Sequence, residues 1–147
     1  MAIVPADEEE LTYSIIGAFF EVYNTIGFGL LEHLYVRALE IELIGRGHTV
    51  VRELAVPVWY KGHMIGFQRM DMVVDDKVII ETKSTHMLPR IASRQLYNYL
   101  KATQFETGLL LHFGPEPVFH RLILRNHKKK NPEHPNHPEH PLKPLAE

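Results

Sequence analysis

The chain has 147 residues, of which 45% are hydrophobic and 23% charged, and a formal net charge of -2. This length can bury one hydrophobic core and is too short for two ordinary domains. Cysteine is absent, which excludes disulfides, thiolate metal sites and cysteine nucleophiles, and neither an export signal nor a membrane-spanning apolar run is evident, so we expect a cytoplasmic protein that contacts no membrane.

The first 45 residues predict two amphipathic helices. Apolar residues recur at three or four positions between Leu11 and Ile26, after an acidic first turn that complements the helix dipole, and this helix should end near Gly27. A second helix is predicted between Leu30 and Ile44, because glycines lie on both sides of that segment.

The next part of the chain predicts five strands and a third helix. The strands are expected at Thr49–Tyr60, Met64–Val74, Lys77–Lys83, Gly108–Phe113 and Val118–Leu124. Pro89 suits a helix start, and helical spacing of apolar residues continues to about Thr103. The order ααβββαββ predicts a three-strand meander, a crossover helix and two further strands, and therefore a mixed sheet with helices packed on it.

The composition changes at Asn126. Prolines and histidines recur from there with almost no apolar residue, so the segment cannot bury enough surface to offset its ordering entropy. We expect a single domain over residues 1–125 and a disordered or extended tail over residues 126–147. The tail histidines are expected to bind transition metals weakly at most.

Charge is segregated along the chain. Residues 1–45 carry a net charge of -7, residues 46–130 carry +7 and residues 131–147 carry -2. The basic middle segment could present a positive face to a polyanion, or its charges could be spread over the folded surface.

A predicted hairpin at residues 69–83 carries charged side chains where core residues are expected. Alternation on an extended strand puts Glu81 and Lys83 on one side. Asp71 lies opposite Glu81 if the paired residue numbers sum to 152, which requires an odd-length loop or a bulge. Two carboxylates suit a hard divalent cation, and an amine beside them suits phosphodiester hydrolysis. The alternative is an exposed ion pair on an edge strand.

This hairpin resembles the Asp…Glu-X-Lys core of the PD-(D/E)XK nuclease superfamily. Two further segments are similar to the branch of that superfamily named after the pattern GxxExxY. The pattern stands here as Gly29-Leu-Leu-Glu32-His-Leu-Tyr35, and the branch's Q-x-x-x-Y-L helix as Gln95-Leu-Tyr-Asn-Tyr99-Leu. The resemblance runs in the right order from about Tyr13 to Arg125, with Thr82 and His112 at positions where the branch often has other residues.

The resemblance implies an α/β nuclease fold and a Mg²⁺- or Mn²⁺-dependent phosphodiesterase acting on DNA or RNA. Asp71 and Glu81 would bind the metal, with the Thr82 carbonyl as a third ligand and Glu32 acting through water. Lys83 would position or help to deprotonate the attacking water. The remaining candidates would orient that water or contact substrate phosphates, and they are Gln95, Arg69, Arg90, Arg94 and Tyr99.

Several of these residues have structural alternatives. Tyr35 is expected to pack and to cap a polar group with its hydroxyl. Gln95 could hydrogen-bond to the backbone. Arg90 and Arg94 lie in the first turns of a helix, where the dipole disfavours cations, and contact with phosphate would account for that placement. For the whole chain, the alternatives are a noncatalytic interaction module, as a dimer or as a subunit of a larger complex, and a hydrolase for a small phosphorylated ligand.

Overall fold

The computed structural model describes residues 6–129. It contains three helices, α1 (Ala6–Ile26), α2 (Glu32–Gly45) and α3 (Ile91–Lys101). The strands are β1 (Val50–Tyr60), β2 (His63–Val74), β3 (Val78–Lys83), β4 (Thr107–Phe113) and β5 (Pro117–Ile123). The predicted order ααβββαββ is confirmed, and α2 begins two residues later than expected. None of the described helices is both long and apolar enough to span a membrane.

The strands form one mixed sheet in the order β1-β2-β3-β4-β5. Neighbouring strands are antiparallel except for β3 and β4, which are parallel. A parallel pair needs a crossover connection, and α3 supplies it. β3 therefore lies at the centre of the sheet, and its first three residues, Val78 to Ile80, are fully buried.

The sheet separates two hydrophobic cores. On one face α1 and α2 pack against it, with Phe19 and Leu39 completely buried next to Leu109 and Leu111. On the other face α3 packs against it through Leu96 and Leu100. This three-layer arrangement explains why β3 and β4 read as continuous apolar runs, since both faces of these strands are covered.

The alternation of faces is interrupted at one point in both β1 and β2. Met70 lies in the core under α3, but Met72, two residues later, lies in the core under α1 and α2. The register pairs Arg52 with Met72 and Leu54 with Met70, so the interruption falls at Glu53 and Asp71, between those two pairs. Glu53 has a φ of 58°, and this conformation reverses the sheet faces on which the following side chains of β1 lie. The interruption of alternation in β2 therefore lies at Asp71, the first predicted metal ligand.

The packed structure extends four residues beyond the predicted domain boundary. A short 3₁₀ helix covers Asn126–Lys128, and the following Lys129 is buried. Its Nζ donates hydrogen bonds to the carbonyl oxygens of Thr103 and Phe105, each at 2.7 Å. The rest of the predicted tail lies outside the described residues.

Candidate functional site

The site lies where the backbone pairing of β2 and β3 ends, and we call this position the fork. Their backbone ladder pairs Val74 with Val78 and ends at the pair Met72 and Ile80, a register in which residue numbers sum to 152 as predicted. The connecting turn is Asp75, Asp76 and Lys77, an odd-length loop. Both aspartates have positive φ, near 52° and 53°, which short aspartate side chains tolerate.

Beyond the last ladder pair, two carboxylates replace backbone carbonyls as hydrogen-bond acceptors. The Asp71 N–H donates to Glu81 Oε1 at 3.0 Å. In return, Asp71 Oδ2 accepts the Thr82 N–H at 2.7 Å and the Thr82 hydroxyl at 2.8 Å. This exchange holds one carboxylate from each strand in the fork between them, as the sequence predicted for Asp71 and Glu81.

Glu81 is strongly desolvated, with only 6% of its surface exposed. Burial, followed by the negative charge of Asp71, raises its carboxyl pKa, while the Asp71 N–H and Lys83 oppose the shift, and the resulting pKa is about 8. Without a cation beside it, this carboxyl is therefore protonated at neutral pH.

Glu32 and Lys83 belong to the same electrostatic group. Burial of the Glu32 carboxylate and the charge of Asp71 raise its pKa, while Lys83 and the Ser84 backbone N–H lower it. Glu32 is the first residue of α2 and is exposed as a whole residue. Its carboxylate nevertheless faces the fork.

The GxxExxY segment gives Glu32 its position. The Tyr35 hydroxyl donates to the Gly27 carbonyl at 2.5 Å and accepts the Leu30 N–H at 3.2 Å, which closes the loop between α1 and α2. Its ring is stacked on Phe113, with centroids 4.2 Å apart. Tyr35 therefore packs and caps, as expected. Gly29 has a φ of 106°, a conformation that side chains rarely adopt.

The α3 side of the site contains Tyr99 and Gln95. Burial, followed by the charges of Glu81 and Asp71, raises the Tyr99 pKa above its ordinary range, so this ring lies beside both carboxylates. Gln95 lies one turn earlier on α3 and is half-buried. Its side chain makes no hydrogen bond to a described residue, so the backbone role proposed for it as an alternative has no partner there.

The three candidate arginines lie at the periphery and are exposed. Arg90 is the residue before α3, and Arg94 lies over the Tyr97 ring, with its guanidinium carbon 5.1 Å from the centroid. Arg69 lies two residues before Asp71 on β2, a spacing that in a regular strand puts both side chains on one face. Because alternation breaks at Asp71, spacing alone does not put the two side chains on one face.

The donor set fits a hard divalent cation only in part. Asp71 Oδ1 and Glu81 Oε2 accept no hydrogen bond from the described residues, and the negative charge of Asp71 disfavours ionisation of Glu81. A cation between them would relieve that repulsion. Within residues 6–129, no three acidic or histidine side chains lie close enough to form a complete metal site. Mg²⁺ is commonly held by one or two carboxylates with several waters, which matches this set.

His112 is a site-adjacent residue whose role sequence reasoning missed. It is the register partner of Lys83 on β4 and is buried. Its Nε2 lies 2.8 Å from the Thr85 carbonyl oxygen, which can only accept, so Nε2 carries a proton. A Cβ at Gly114 would come within 2.5 Å of this ring. His112 therefore anchors the segment that follows Lys83, and its unusual residue type was the one sequence signal.

A second cluster joins three separate elements. Ser14 Oγ on α1 lies 2.7 Å from His48 Nε2, and His48 Nδ1 lies 2.8 Å from Asp75 Oδ2 in the β2–β3 turn. Asp75 also accepts the Thr49 N–H at 2.8 Å. The cluster ties α1 to the turn that sets the register of the fork. Ser14 and His48 are 34 residues apart in the sequence, and His48 and Asp75 are 27 apart, so no short sequence motif could have predicted the cluster.

Comparisons with known proteins agree with this architecture. A family model described as the PD-(D/E)XK nuclease superfamily matches residues 9–123. The crystal structure of SSO0001 is similar with a TM-score of 0.50 and 19% identity, over 80% of this chain and 62% of that chain, and at that identity the likeness concerns the fold alone. No curated protein matches the sequence. The family match spans the fork, the GxxExxY segment and α3, and the chain belongs to the PD-(D/E)XK nuclease superfamily.

Proposed function

We propose that this protein is a metal-dependent phosphodiesterase that hydrolyses nucleic acid, preferably DNA, at the fork between β2 and β3. The observation that carries the proposal is the reciprocal hydrogen bonding of Asp71 and Glu81, which holds two carboxylates beside Lys83. Keeping a buried carboxylate next to a second one is costly for a fold. Such a cost is typical of functional sites.

The remaining groups have distinct roles in this proposal. Asp71, Glu81 and the Thr82 carbonyl would hold Mg²⁺ or Mn²⁺, and Glu32 would bind through water. The bound cation would polarise the phosphate and make a water more acidic. Lys83 would hold that water and stabilise negative charge developing on the phosphate. Gln95 would orient the water, while Arg69, Arg90, Arg94 and Tyr99 would contact phosphates.

We also assign the chain to the GxxExxY branch of the superfamily. The contacts of its segment support this, because each defining position has a separate task. Gly29 permits the backbone turn, Glu32 faces the carboxylates and Tyr35 closes the loop. The proposed catalytic unit is the single domain predicted over residues 1–125.

Two measurements test the site. Lys83→Ala should reduce Mg²⁺-dependent nicking of a supercoiled plasmid by about 10² or more, because it removes a charge aimed at the developing phosphate charge. Lys77→Ala, which removes an exposed lysine of the β2–β3 turn, is the matched control and should cut at the wild-type rate. Equal nicking by all three proteins would overturn the assignment of Lys83.

Metal binding is measured separately by titration calorimetry with Mn²⁺. Asp71→Ala should abolish the binding isotherm of the wild type, whereas Asp76→Ala, at an exposed position in the turn, should preserve it. An unchanged isotherm in Asp71→Ala would contradict the proposed site.

A noncatalytic interaction module is the second candidate. The incomplete ligand set within residues 6–129 favours it, since a scaffold needs no metal. It predicts that the wild type neither nicks plasmid nor binds Mn²⁺ at the fork, and that it self-associates or joins a larger complex.

A further inference from the structure

An exposed apolar surface borders the candidate site. Its members come from the loop between α1 and α2, the start of α2 and the segment after β3. We call it the apolar rim, and its residues are Phe28, Leu30, Leu31, Leu34 and Met87. Leu31 and Met87 are the most open of these, at 68% and 78% exposure.

The two parts of the rim are connected to each other. The Ser84 hydroxyl donates to the Leu30 carbonyl at 2.6 Å, and the Phe28 ring lies edge-on to His86 with centroids 6.4 Å apart. These contacts join the loop before α2 to the segment after β3. The rim is therefore one surface formed by two chain segments.

The rim also adjoins the groups assigned to catalysis. Glu32 lies between Leu31 and Leu34 in the sequence, and its carboxylate is coupled to Asp71 and Lys83. Ser84, which bonds to Leu30, directly follows Lys83. A ligand with a phosphate at the fork would consequently extend over the rim.

Charge and polarity together restrict the class of ligand. Exposed Arg90 lies three residues after Met87 and forms no ion pair with a described residue, so the surroundings of the rim favour an anionic backbone. An intact duplex would put charged phosphates against the apolar side chains and remove them from water without partners. Unpaired bases offer apolar faces beside each phosphate.

We propose that the apolar rim receives unstacked bases of a single-stranded or frayed nucleic acid whose scissile phosphate lies at the fork. This inference rests on the proposed function and specifies its substrate. It requires that single strands or strand ends bind better than continuous duplex. A protein partner or a second copy of the chain would cover the same surface without that preference.

The test uses the full-length chain with Lys83→Ala throughout, so that binding is measured in Mg²⁺ without cleavage. The probes are a fluorescently labelled single-stranded DNA oligonucleotide and the same sequence annealed as a duplex. Leu31→Ser with Met87→Ser should weaken single-strand binding roughly ten-fold, because it removes the two most exposed apolar side chains of the rim, which the faces of unpaired bases would cover. Duplex binding should change by less than about two-fold.

A matched control is available on the same helix. Ile41→Ser with Ile44→Ser removes two similarly exposed apolar side chains, at 56% and 54% exposure, about 15 Å further along α2. It should leave both affinities unchanged. Leu31 occupies the N-cap of α2 without a side-chain cap, and serine is favoured there, so loss of folding would not explain weaker binding.

The outcomes separate the two hypotheses. Equal weakening for single strand and duplex, or no weakening, overturns the rim proposal even if the chain with Lys83 intact still nicks DNA. Rim-dependent single-strand binding without cleavage by the Lys83-intact chain contradicts the catalytic proposal, whereas it supports the binding of unpaired bases at the rim. A dimer in sedimentation that the rim substitutions dissociate would assign the surface to a second copy and overturn the nucleic-acid assignment.

Discussion

At the scale of single residues, the fork is an exchange of hydrogen-bonding partners that creates electrostatic repulsion. A regular strand pair would bond the Asp71 and Thr82 amides to carbonyls, but here carboxylates accept both protons. The Asp71 amide stabilises the charged form of Glu81, whereas burial and the negative charge of Asp71 destabilise it. For Glu81 the destabilising effects are larger, so its pKa rises to about 8.

This shift makes the stability of the metal-free protein depend on pH. The unfolded Glu81 carboxyl ionises near 4.5, whereas the folded one keeps its proton up to about 8. Between those values the folded state binds the extra proton, so the wild-type free energy of unfolding falls as pH rises. Glu81→Gln removes this dependence. Relative to wild type, it should gain on the order of 3 kcal/mol between about pH 5 and about pH 8 in urea denaturation with EDTA.

The matched variant for this measurement is Glu116→Gln, at an exposed glutamate of the β4–β5 turn. Its stability relative to wild type should not change with pH. A difference between wild type and Glu81→Gln that is flat from acidic to alkaline pH would refute the buried, protonated state of Glu81.

At the scale of elements, the contacts of His48 hold α1 and the β2–β3 turn in place. Nδ1 faces a carboxylate, which only accepts, so it carries the proton and Nε2 accepts from the Ser14 hydroxyl when the ring is neutral. Burial raises the Asp75 pKa, but hydrogen bonds from Thr49 and His48 outweigh it, and the net pKa is lowered. The turn is therefore pinned through an ionised aspartate.

Removal of this connection should destabilise the fold by a moderate amount. His48→Ala eliminates two part-buried hydrogen bonds and should cost about 2 kcal/mol in the free energy of unfolding, because each bond contributes about 1 kcal/mol. Ser14→Ala should cost about half as much, and less when His48 is already alanine. Urea denaturation measures all three variants. His120→Ala, at an exposed position of β5, serves as the control, and a cost equal to that of His48→Ala would mean that the cluster does not pin the turn.

The comparison of sequence and structure separates local from long-range information. The element order and the register of β2 with β3 follow from period, turn residues and the pairing rule, which are local properties. The point at Asp71 where side chains of β2 switch from one face of the sheet to the other does not follow from local properties, because it depends on the positive φ of Glu53 in the neighbouring strand. His48 and His112 were likewise unpredictable, since their partners are distant in sequence. Spacing locates side chains within one element, whereas these contacts depend on how elements meet.

At the scale of the whole molecule, the site and the core share the same central strand. β3 is buried on both faces, yet it ends in Glu81 and Lys83 beside Asp71 of β2. The packed layers hold the carboxyl groups of Asp71 and Glu81 together, so ionisation of Glu81 lowers the net stability of the metal-free domain. A cation that bridges Asp71 and Glu81 would compensate their negative charges and crosslink β2 to β3, but only when both strands are folded.

The stability of the whole domain should therefore respond to metal at the fork. At a Mn²⁺ concentration of about 100 times its dissociation constant, the free energy of unfolding of the wild type should rise by about 2.7 kcal/mol, since the unfolded chain does not bring the two carboxylates together. Asp71→Ala should gain nothing, whereas Asp76→Ala should gain as much as wild type. An equal gain in Asp71→Ala would mean that Mn²⁺ binds elsewhere, for example at the histidines after residue 130. In that case no cation would bind at the fork, and the presence of two neighbouring carboxyl groups there would need another explanation.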